Sequence, residues 1–376
     1  MISLVTAAIN KLDNLRKYID NLVKYNHELD NIRIIVVDEG DKAVRRYNRR
    51  ICNKIEFYGP SERKDWFIKN GLEKYMDVIP ERHHAELSFA FLVARNSDYI
   101  MTFDDDTYPL SSEDFVGKHL LSYGIYDVQV QLAKWINPLD FMEVENSCGR
   151  VYQRGLPYSA VPELEGEGME IGNAMNKVVF NQGLWTNIPD LNAVTILNQG
   201  GLKGIPKVRT LELKYEKILV PRNTFIPVSS MNISFKPEIL PAYYYLPMRV
   251  HDASMVRYSD GDIRGMDDVW SALFLKKVMD RVGKYMAFGA PLVEHRKKPR
   301  DIFRDLANEL DGLIINEKLW KVLDDIKLES RDYLEGYREL AVNLRDKSAE
   351  FGYYRKFIEY LARHMMKWSE LWEHLS

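Results

Sequence analysis

The sequence predicts an α/β protein, with a mostly parallel central sheet flanked by helices and a C-terminal helical extension. Near the N-terminus, a helical stretch from about Leu12 to Tyr25 separates two apolar runs, ISLVTAAI and IRIIVVDEGD, whose composition is that of buried strands. Strand, helix and strand in succession are typical of a parallel sheet. From Asp301 onward the pattern is helical and charged, which indicates the extension.

Composition limits the function classes. Of the 376 residues, 46% are hydrophobic and 28% are charged, as in an ordinary globular protein. The net charge of −3 is not the positive charge expected of a nucleic-acid-binding protein, so we expect no nucleic-acid partner. The two cysteines, Cys52 and Cys148, form no CxxC pattern, so we expect a reducing, cytoplasmic location. The longest internal apolar run, LSFAFLVA, is too short to span a bilayer, and we expect no transmembrane segment.

The later elements place the acidic residues and the loops. A helix is predicted from Glu81 to Asn96, and it leads into the core strand of YIMTFDDD. Ligands of a parallel sheet bind beyond the carboxyl ends of its strands, where both acidic runs fall. Residues 135–260 are rich in Gly and Pro and indicate substrate-facing loops. The last helix carries an apolar face that predicts packing inside the subunit or between subunits: Phe357, Leu361, Met365, Trp368 and Trp372.

The acidic triplet follows its apolar strand without a break. If the strand continues, Asp104 and Asp106 project to one side and Asp105 to the other. Two carboxylates together at the end of a buried strand favour a cation, and a hard divalent metal that also takes phosphate oxygens suits them. The alternative is a solvated turn, because Asp is common in turns. Asp38, at the end of the second strand, is a candidate hydrogen-bond partner for a nucleoside.

A second acidic pair lies ahead of a helical pattern in RGMDDVWSALFLKKV. A helix N-cap explains one of Asp267 and Asp268, but not both. The later run GAPLVEHRKKPR places His295 after a strand-like segment, where it either completes a metal shell or is structural. Arg296 and Lys297 follow, and their charge suits a diphosphate.

Together these segments resemble the reversibly glycosylated polypeptides, which are UDP-arabinopyranose mutases of glycosyltransferase family 75. The resemblance spans most of the chain and rests on motifs in the family's order and spacing: YIMTFDDD, RGLPYS at 154–159, GLWTNIPDLNAVT at 183–195, MNISF at 231–235, MDDVWSALFLKKV and the tail MMKWSELWE. It implies a glycosyltransferase-A, Rossmann-like fold, a UDP-sugar substrate and a divalent cation, Mn²⁺ or Mg²⁺.

The resemblance also implies roles for single residues. The triplet Asp104–Asp106 matches the family's metal and nucleotide motif, and Arg154 matches the arginine on which the family glycosylates itself reversibly. The family has a second functional arginine seven residues on, where this chain has Val161. A guanidinium has no free lone pair, so Arg154 needs a base or an ion-pair partner, for which Asp267, Asp268 and Glu163 are candidates. The alternative for Arg154 is a phosphate or carboxylate clamp.

The motif GLWTNIPDLNA is polar and aromatic in the manner of a carbohydrate platform. Trp185 would stack on a sugar face and Asp190 would bond its hydroxyls. The competing interpretation is a packed turn, because Asn, Pro and Asp are turn residues and Trp is frequently in the core. With the family resemblance, we expect both residues near the sugar.

The sequence therefore predicts a nucleotide-sugar-binding domain over residues 1–300 and a helical extension over residues 301–376. Its expected function is metal-dependent self-glycosylation from a UDP-sugar, with interconversion of the sugar's pyranose and furanose forms. Two alternatives stay open: a conventional glycosyltransferase with an external acceptor, and a non-catalytic UDP-sugar-binding subunit. We expect a homo-oligomer, with the aromatic face of the last helix as a candidate contact.

Overall fold

The sheet contains all the strands of the protein that the structure describes. The computed structural model describes residues 1–52, 54–81, 83–124, 128–131, 133–164, 169–172 and 177–375. Within these ranges the thirteen strands are β1 (Ile2–Ala8), β2 (Ile32–Asp38), β3 (Ile55–Tyr58), β4 (Tyr99–Phe103), β5 (Thr107–Pro109), β6 (Val128–Gln131), β7 (Met142–Glu145), β8 (Met169–Gly172), β9 (Val178–Asn187), β10 (Arg209–Leu213), β11 (Lys217–Val220), β12 (Asn232–Phe235) and β13 (Tyr285–His295). Their main order is β3-β2-β1-β4-β12-β9-β13-β11-β6-β8, and β5, β7 and β10 pair beside it.

Helices follow the predicted pattern. Over the described ranges the α-helices are α1 (Leu15–Lys24), α2 (Lys42–Asn48), α3 (Pro60–Lys69), α4 (Leu87–Ala94), α5 (Phe115–Leu121), α6 (Ala193–Asn198), α7 (Asp267–Val282), α8 (Ile302–Asp325), α9 (Tyr333–Asp346) and α10 (Arg355–Leu375). The predicted α/β class and the C-terminal helical extension are confirmed. Helix α4 is shorter than the predicted stretch over residues 81–96, because a 3₁₀ helix, His84–Glu86, precedes it.

The first half of the sheet is parallel. β1 pairs in parallel with β2 and β4, and β2 pairs in parallel with β3. This 3-2-1-4 order is that of a Rossmann-like half. Most side chains of β2 and β4 are buried on both faces, as expected where helices cover a parallel sheet. Because parallel strands end at the same edge, Asp38 of β2 and the triplet after β4 lie at one edge.

The second half is mixed, and here the expectation of a mostly parallel sheet is wrong. β12 is antiparallel to both β4 and β9, and β11 is antiparallel to β13. Parallel neighbours need a long crossover, usually a helix. In the described residues between β6 and β12, the one α-helix is α6, with six residues. Loops that return directly therefore bring strands in antiparallel to their neighbours.

The last helix packs inside the subunit. Trp368 stacks on Tyr244 with ring centroids 4.8 Å apart, and its indole N–H donates to the Leu240 carbonyl at 3.1 Å. All five residues of the predicted apolar face are buried: Phe357, Leu361, Met365, Trp368 and Trp372. One hydrophobic core includes residues on both sides of residue 300, and the domain boundary there stays a prediction. Across the described ranges, no helix combines the length and the hydropathy of a membrane span.

A buried carboxylate ties α8 to a loop and to the last helices. Asp311 accepts hydrogen bonds from the backbone N–H groups of Arg257, Tyr258 and Ser259 at 3.0, 2.8 and 2.9 Å. It also accepts from the hydroxyls of Ser259 and Tyr354 at 2.8 and 2.7 Å. Burial by itself raises the pKa of the Asp311 carboxyl, but these bonds outweigh burial and hold the pKa below its usual value.

Asp311→Ala is expected to lower the free energy of unfolding by about 3 kcal/mol at pH 7, because buried donors lose a charged acceptor. Since the folded-state pKa of Asp311 is lowered, its stabilisation is complete above the ordinary value of 3.8 and is lost as the pH falls below it. Urea denaturation at pH 7 and below pH ~4 checks both statements. The control is Asp20→Ala, whose side chain is 69% exposed; equal losses in the two variants at pH 7 would contradict this role.

Candidate active site

A pocket of about 450 Å³, lined by many charged side chains, lies at the carboxyl edge of the parallel strands. The turn after β4, the end of β13, the start of α7 and the first turns of α8 bound it. Eight residues that were predicted from the sequence line this pocket: Asp104, Asp106, Arg154, Asp190, Asp267, Asp268, His295 and Lys297. Residues far apart in the sequence thus meet in one cavity.

Arg154 is held between two carboxylates in the pocket wall. Its Nη1 and Nη2 donate to the two oxygens of Asp268, both at 2.8 Å, in a bidentate pair. Its Nε donates to Oδ1 and Oδ2 of Asp190 at 3.1 and 3.0 Å. The remaining guanidinium hydrogens point to the Gly265 carbonyl and, at 3.5 Å, to the Ser229 hydroxyl. Every nitrogen of the guanidinium therefore donates to the protein.

This double ion pair fixes the charge states of its members. The side chain of Arg154 is 12% exposed and that of Asp190 is 8% exposed. Burial alone would lower the pKa of Arg154, but the charges of Asp190 and Asp268 outweigh burial and raise it well above its usual value. Burial alone would raise the pKa of Asp190, but Arg154 holds it lowered. The guanidinium is consequently a cation at any ordinary pH, and a nitrogen that attacks must pass a proton to a neighbour.

The two aspartates at the start of α7, Asp267 and Asp268, make different contacts. Met266 occupies the N-cap position of α7, so neither aspartate is the helix cap. Asp268 pairs with Arg154 and also accepts the N–H of Ser230 at 3.1 Å. Asp267 is 6% exposed and lines the pocket beside it. The position of Asp268 agrees with its predicted role as a partner of Arg154.

The acidic triplet lies in a turn, and the expected continuation of the strand is wrong. β4 ends before the triplet, and the N–H of Thr107 donates to the carbonyl of Asp104 at 3.3 Å. The turn still places Asp104 and Asp106 in the pocket lining. Asp105 lies outside that lining and accepts a hydrogen bond from the Asn10 side-chain amide at 2.8 Å.

His295 and Asp106 are arranged as two possible ligands of one cation. Nδ1 of His295 lies 2.7 Å from the Ile188 carbonyl and donates to it, which leaves the lone pair on Nε2. Nε2 is 3.4 Å from Oδ2 of Asp106. Among the described residues, no group of three or more His, Cys, Asp or Glu side chains is arranged to hold a metal ion. The Nε2 lone pair of His295 and the Asp106 carboxylate fit a cation, and water and phosphate oxygens would complete its coordination shell.

Asp38 lies apart from the pocket lining. It is the last residue of β2, it is buried, and it accepts hydrogen bonds from the Gly40 N–H at 3.0 Å and the Asn48 amide at 2.9 Å. Burial raises the pKa of its carboxyl, and these bonds partly offset the rise. They tie the turn after β2 to α2, and a role in nucleoside binding stays a prediction.

Two other predicted residues are placed differently from expectation. Trp185, in β9, is 1% exposed and packs in the hydrophobic core. A sugar has no access to its ring, so the predicted stacking role is wrong. The alternative is correct in that Trp185 is packed, but the residue lies in a strand and not in a turn. Arg296 is outside the pocket lining, pairs with Glu294 at 2.7 Å, and lies 4.2 Å from the ring centroid of Tyr108. Asp190 lies in the pocket, where its carboxylate binds Arg154.

Helix α8 supplies pocket residues that were not predicted. Asp305, Asn308 and Glu309 line the cavity, and Glu309 accepts the N–H of Ala193 at 2.7 Å. Their i, i+3 and i+4 spacing puts them on one helix face. The spacing is visible in the sequence, but nothing in the sequence marks that face as lining a pocket. The predicted boundary at residue 300 therefore passes through the pocket.

Lys297 is a cation available to a ligand. Within the described part of the chain, its ammonium makes no hydrogen bond or ion pair, whereas Arg300 beside it pairs with Asp305 at 2.5 Å. Burial lowers the pKa of Lys297 to about 8, and the charge of Arg300 acts in the same direction. The charge of Lys297 in turn helps to lower the pKa of Asp190, which links Lys297 to the Arg154 pair.

The fold and the pocket define an α/β protein with a pocket at the carboxyl edge of a Rossmann-like sheet, where ligands of such sheets bind. Comparison with protein families is more specific. The family model described as "Reversibly glycosylated polypeptide" matches residues 2–376. The chain belongs to this family, and the resemblance inferred from its motifs is confirmed.

Curated relatives carry the name UDP-arabinopyranose mutase. UDP-arabinopyranose mutase 1 of Arabidopsis thaliana is 24% identical over 389 residues, which cover 100% of this chain and 93% of the relative. UDP-arabinopyranose mutase 3 of the same plant is 25% identical over 365 residues, covering 95% of this chain and 89% of the relative. UDP-arabinopyranose mutase 1 of Oryza sativa subsp. japonica is 24% identical, covering 91% and 84%.

Solved structures give a looser likeness. Glucosyl-3-phosphoglycerate synthase from Mycobacterium tuberculosis, in complex with Mn²⁺, UDP and phosphoglyceric acid, is 13% identical with a TM-score of 0.42, covering 87% of this chain and 79% of that one. The same enzyme with Mg²⁺ and UDP has a TM-score of 0.40 at 12% identity, covering 85% and 79%. Likeness at this level is too loose to transfer a site or an activity.

Arg154→Gln is expected to lower the free energy of unfolding by about 3–5 kcal/mol, because it leaves Asp190 and Asp268 buried without a counter-charge. Urea denaturation at pH 7 measures the loss. The matched control is Arg150→Gln, since Arg150 pairs with Asp140 at 2.6 Å and its side chain is 42% exposed. We expect the control to cost less than about 1 kcal/mol, and a loss that small for Arg154→Gln would contradict the described ion pair.

Proposed function

We propose that this protein is a UDP-sugar mutase of the glycosyltransferase type, which interconverts pyranose and furanose forms of a UDP-sugar through a transient adduct on Arg154. Membership of the family and the names of its relatives support the substrate class. The observation that carries the proposal is that Arg154, the residue that matches the family's self-glycosylated arginine, lines the same pocket as Asp104, Asp106 and His295.

The pocket offers partners for a diphosphate. Asp106 and His295, with Asp104 nearby, would hold a divalent cation, Mn²⁺ or Mg²⁺, whose remaining ligands are water and phosphate oxygens. When bound, the cation supplies positive charge that stabilises the departing diphosphate. Lys297, which has no carboxylate partner in the described residues, would bind phosphate oxygens directly. The sugar would then extend towards Arg154.

The transfer step needs a nucleophile and a base. The bond between sugar C1 and the phosphate oxygen breaks, and its electron pair leaves with UDP. A guanidinium nitrogen of Arg154 bonds to C1 and passes its proton to Asp268 or Asp190, because both carboxylates already accept hydrogen bonds from that group. The reverse step returns the sugar to UDP. A UDP that stays in the pocket allows return of the sugar in another ring form.

A second candidate is a conventional glycosyltransferase with an external acceptor. Two observations favour it: all three guanidinium nitrogens of Arg154 are engaged by the protein, and Val161 is a half-buried apolar residue outside the pocket lining. Arg154 would then be a clamp for the pocket wall. Asp267, which lines the pocket at the start of α7, would be the base that activates the acceptor hydroxyl.

The proposal predicts retention of sugar label on the protein. After incubation with UDP-arabinopyranose radiolabelled in the sugar, label is expected in the peptide that contains Arg154, and excess unlabelled UDP is expected to remove it. Arg154→Lys is expected to abolish labelling, because an ammonium group cannot make the bidentate pair with Asp268 and the Nε bonds to Asp190 that hold the guanidinium. Denaturing gels and peptide mapping measure the label, with Arg150→Lys as the matched control.

The rivals give other results in the same experiment. Consumption of UDP-sugar that depends on an added acceptor, with no label on the protein, supports the transferase. Binding of UDP-sugar without consumption supports a non-catalytic subunit. Either result would overturn the mutase proposal.

Metal dependence has its own test. EDTA is expected to abolish labelling and Mn²⁺ to restore it. His295→Ala is expected to raise the Mn²⁺ concentration for half-maximal labelling by about tenfold or more, because it removes a ligand and not only an outer-shell partner. His251→Ala, at an exposed site outside the pocket lining, is the matched control. An unchanged Mn²⁺ requirement in His295→Ala would show that His295 is structural.

A further inference from the structure

Glu309 is a buried carboxyl that the transfer step above leaves unused. It lies in α8, it is 6% exposed, and it lines the pocket. Its Oε2 accepts the N–H of Ala193, the first residue of α6, at 2.7 Å, which orients the carboxyl group. Over the described residues, its Oε1 has no hydrogen-bond donor from the protein. One oxygen therefore anchors the group and the other is available to a ligand.

Glu309 and Arg154 flank the same backbone position. Gly265 has a φ of +73°, and its carbonyl accepts a hydrogen bond from Arg154. A Cβ built on Gly265 would lie 3.4 Å from Cδ of Arg154 and 3.9 Å from Cγ of Glu309. The Arg154 and Glu309 side chains therefore approach the same point above Gly265 and are neighbours in the pocket wall.

The pKa of Glu309 is shifted in the opposite direction from that of Asp190. Burial raises the pKa of Glu309 to about 7, although its bond from Ala193 and the charges of Arg154, Lys297 and Arg300 oppose the rise. Asp190, by contrast, has a lowered pKa because it is paired with Arg154. Glu309 is therefore a pocket carboxyl that can both hold and release a proton near neutral pH.

We propose that Glu309 donates and recovers the proton that opens and recloses the sugar ring while the sugar is bonded to Arg154. The inference rests on the function proposed above and goes beyond it, because transfer to Arg154 alone leaves the ring size unchanged. Conversion of a pyranose into a furanose requires the bond between C1 and the ring oxygen to break and a bond from C1 to another hydroxyl oxygen to form.

The ring step balances without a further reactant. The lone pair of the arginine nitrogen forms a double bond to C1, and the bond from C1 to the ring oxygen breaks. Its electron pair goes to the ring oxygen, which takes the proton of Glu309. A different hydroxyl oxygen then adds to C1, the double-bond pair returns to nitrogen, and the hydroxyl proton passes to the Glu309 carboxylate. No oxidation or reduction occurs.

The test separates transfer from ring interconversion in one preparation. Wild-type protein, Glu309→Gln and the matched control Glu370→Gln, at an exposed site on α10, are incubated with sugar-labelled UDP-arabinopyranose. Label on the Arg154 peptide reports transfer, and chromatography of the pyranose and furanose nucleotides reports interconversion. We expect Glu309→Gln to be labelled to the same extent as the wild type. Its rate of pyranose–furanose interconversion is expected to fall by about 100-fold or more, since a general acid–base group contributes about 10²–10⁴-fold.

Each outcome has one meaning. Two results in Glu309→Gln would overturn the role of Glu309. One is interconversion at the wild-type rate, and the other is the loss of both labelling and interconversion. If circular dichroism shows that Glu309→Gln does not fold, Glu309→Asp takes its place, since it keeps an acid. We expect Glu309→Asp to be labelled and to interconvert the sugar at a reduced but measurable rate. Labelling without any interconversion in this variant contradicts the proposal. Absence of both label and interconversion in the wild type would instead refute the proposed function itself.

Discussion

The ion pair between Arg154 and the carboxylates of Asp190 and Asp268 is the interaction on which the pocket depends. Taking a guanidinium out of water is costly, and the cost is tolerated only where geometry and hydrogen bonding are nearly complete. Here the bidentate bonds to Asp268 and the bonds to Asp190 meet that condition. Asp190 follows β9 and Asp268 lies in the first turn of α7, so one side chain fixes the relative positions of two distant segments. In the proposed transfer the same bonds matter again, because they keep Arg154 charged and place proton acceptors beside it.

The mixed sheet explains how these segments come together. The parallel strands deliver the acidic turn after β4 to one edge, while β13 runs parallel to β9 and ends beside it, with His295 level with Asn187. His295 therefore reaches Asp106, and the chain between β9 and α6 carries Asp190 to Arg154. Helix α8 completes the cavity through Glu309, which is anchored on α6. The C-terminal extension is thus part of the site.

The sequence was informative where local pattern decides structure and less so where tertiary packing decides it. The β-branched runs identified β1, β2 and β4, and the motifs identified Arg154 and Asp268, because these signals are local. Trp185 is buried because it lies in β9, a central strand between β12 and β13, and the polar motif around it was therefore misleading. The inward face of α8 is set by its contact with α6, and Glu309 was missed for that reason. Strand direction in the second half of the sheet depends on where each loop brings the chain back to the sheet, and the amino-acid composition does not show this.

A crystal structure of the protein with UDP and Mn²⁺ tests most directly the central claim, that this pocket is the UDP-sugar site. We predict the diphosphate beside Lys297, with Mn²⁺ bound by Asp106 and His295 and the terminal phosphate facing Arg154. The chain has a second cleft rich in basic residues, lined in part by Lys134, Arg222 and Arg281. UDP found there, with the pocket around Arg154 empty, would contradict the claim.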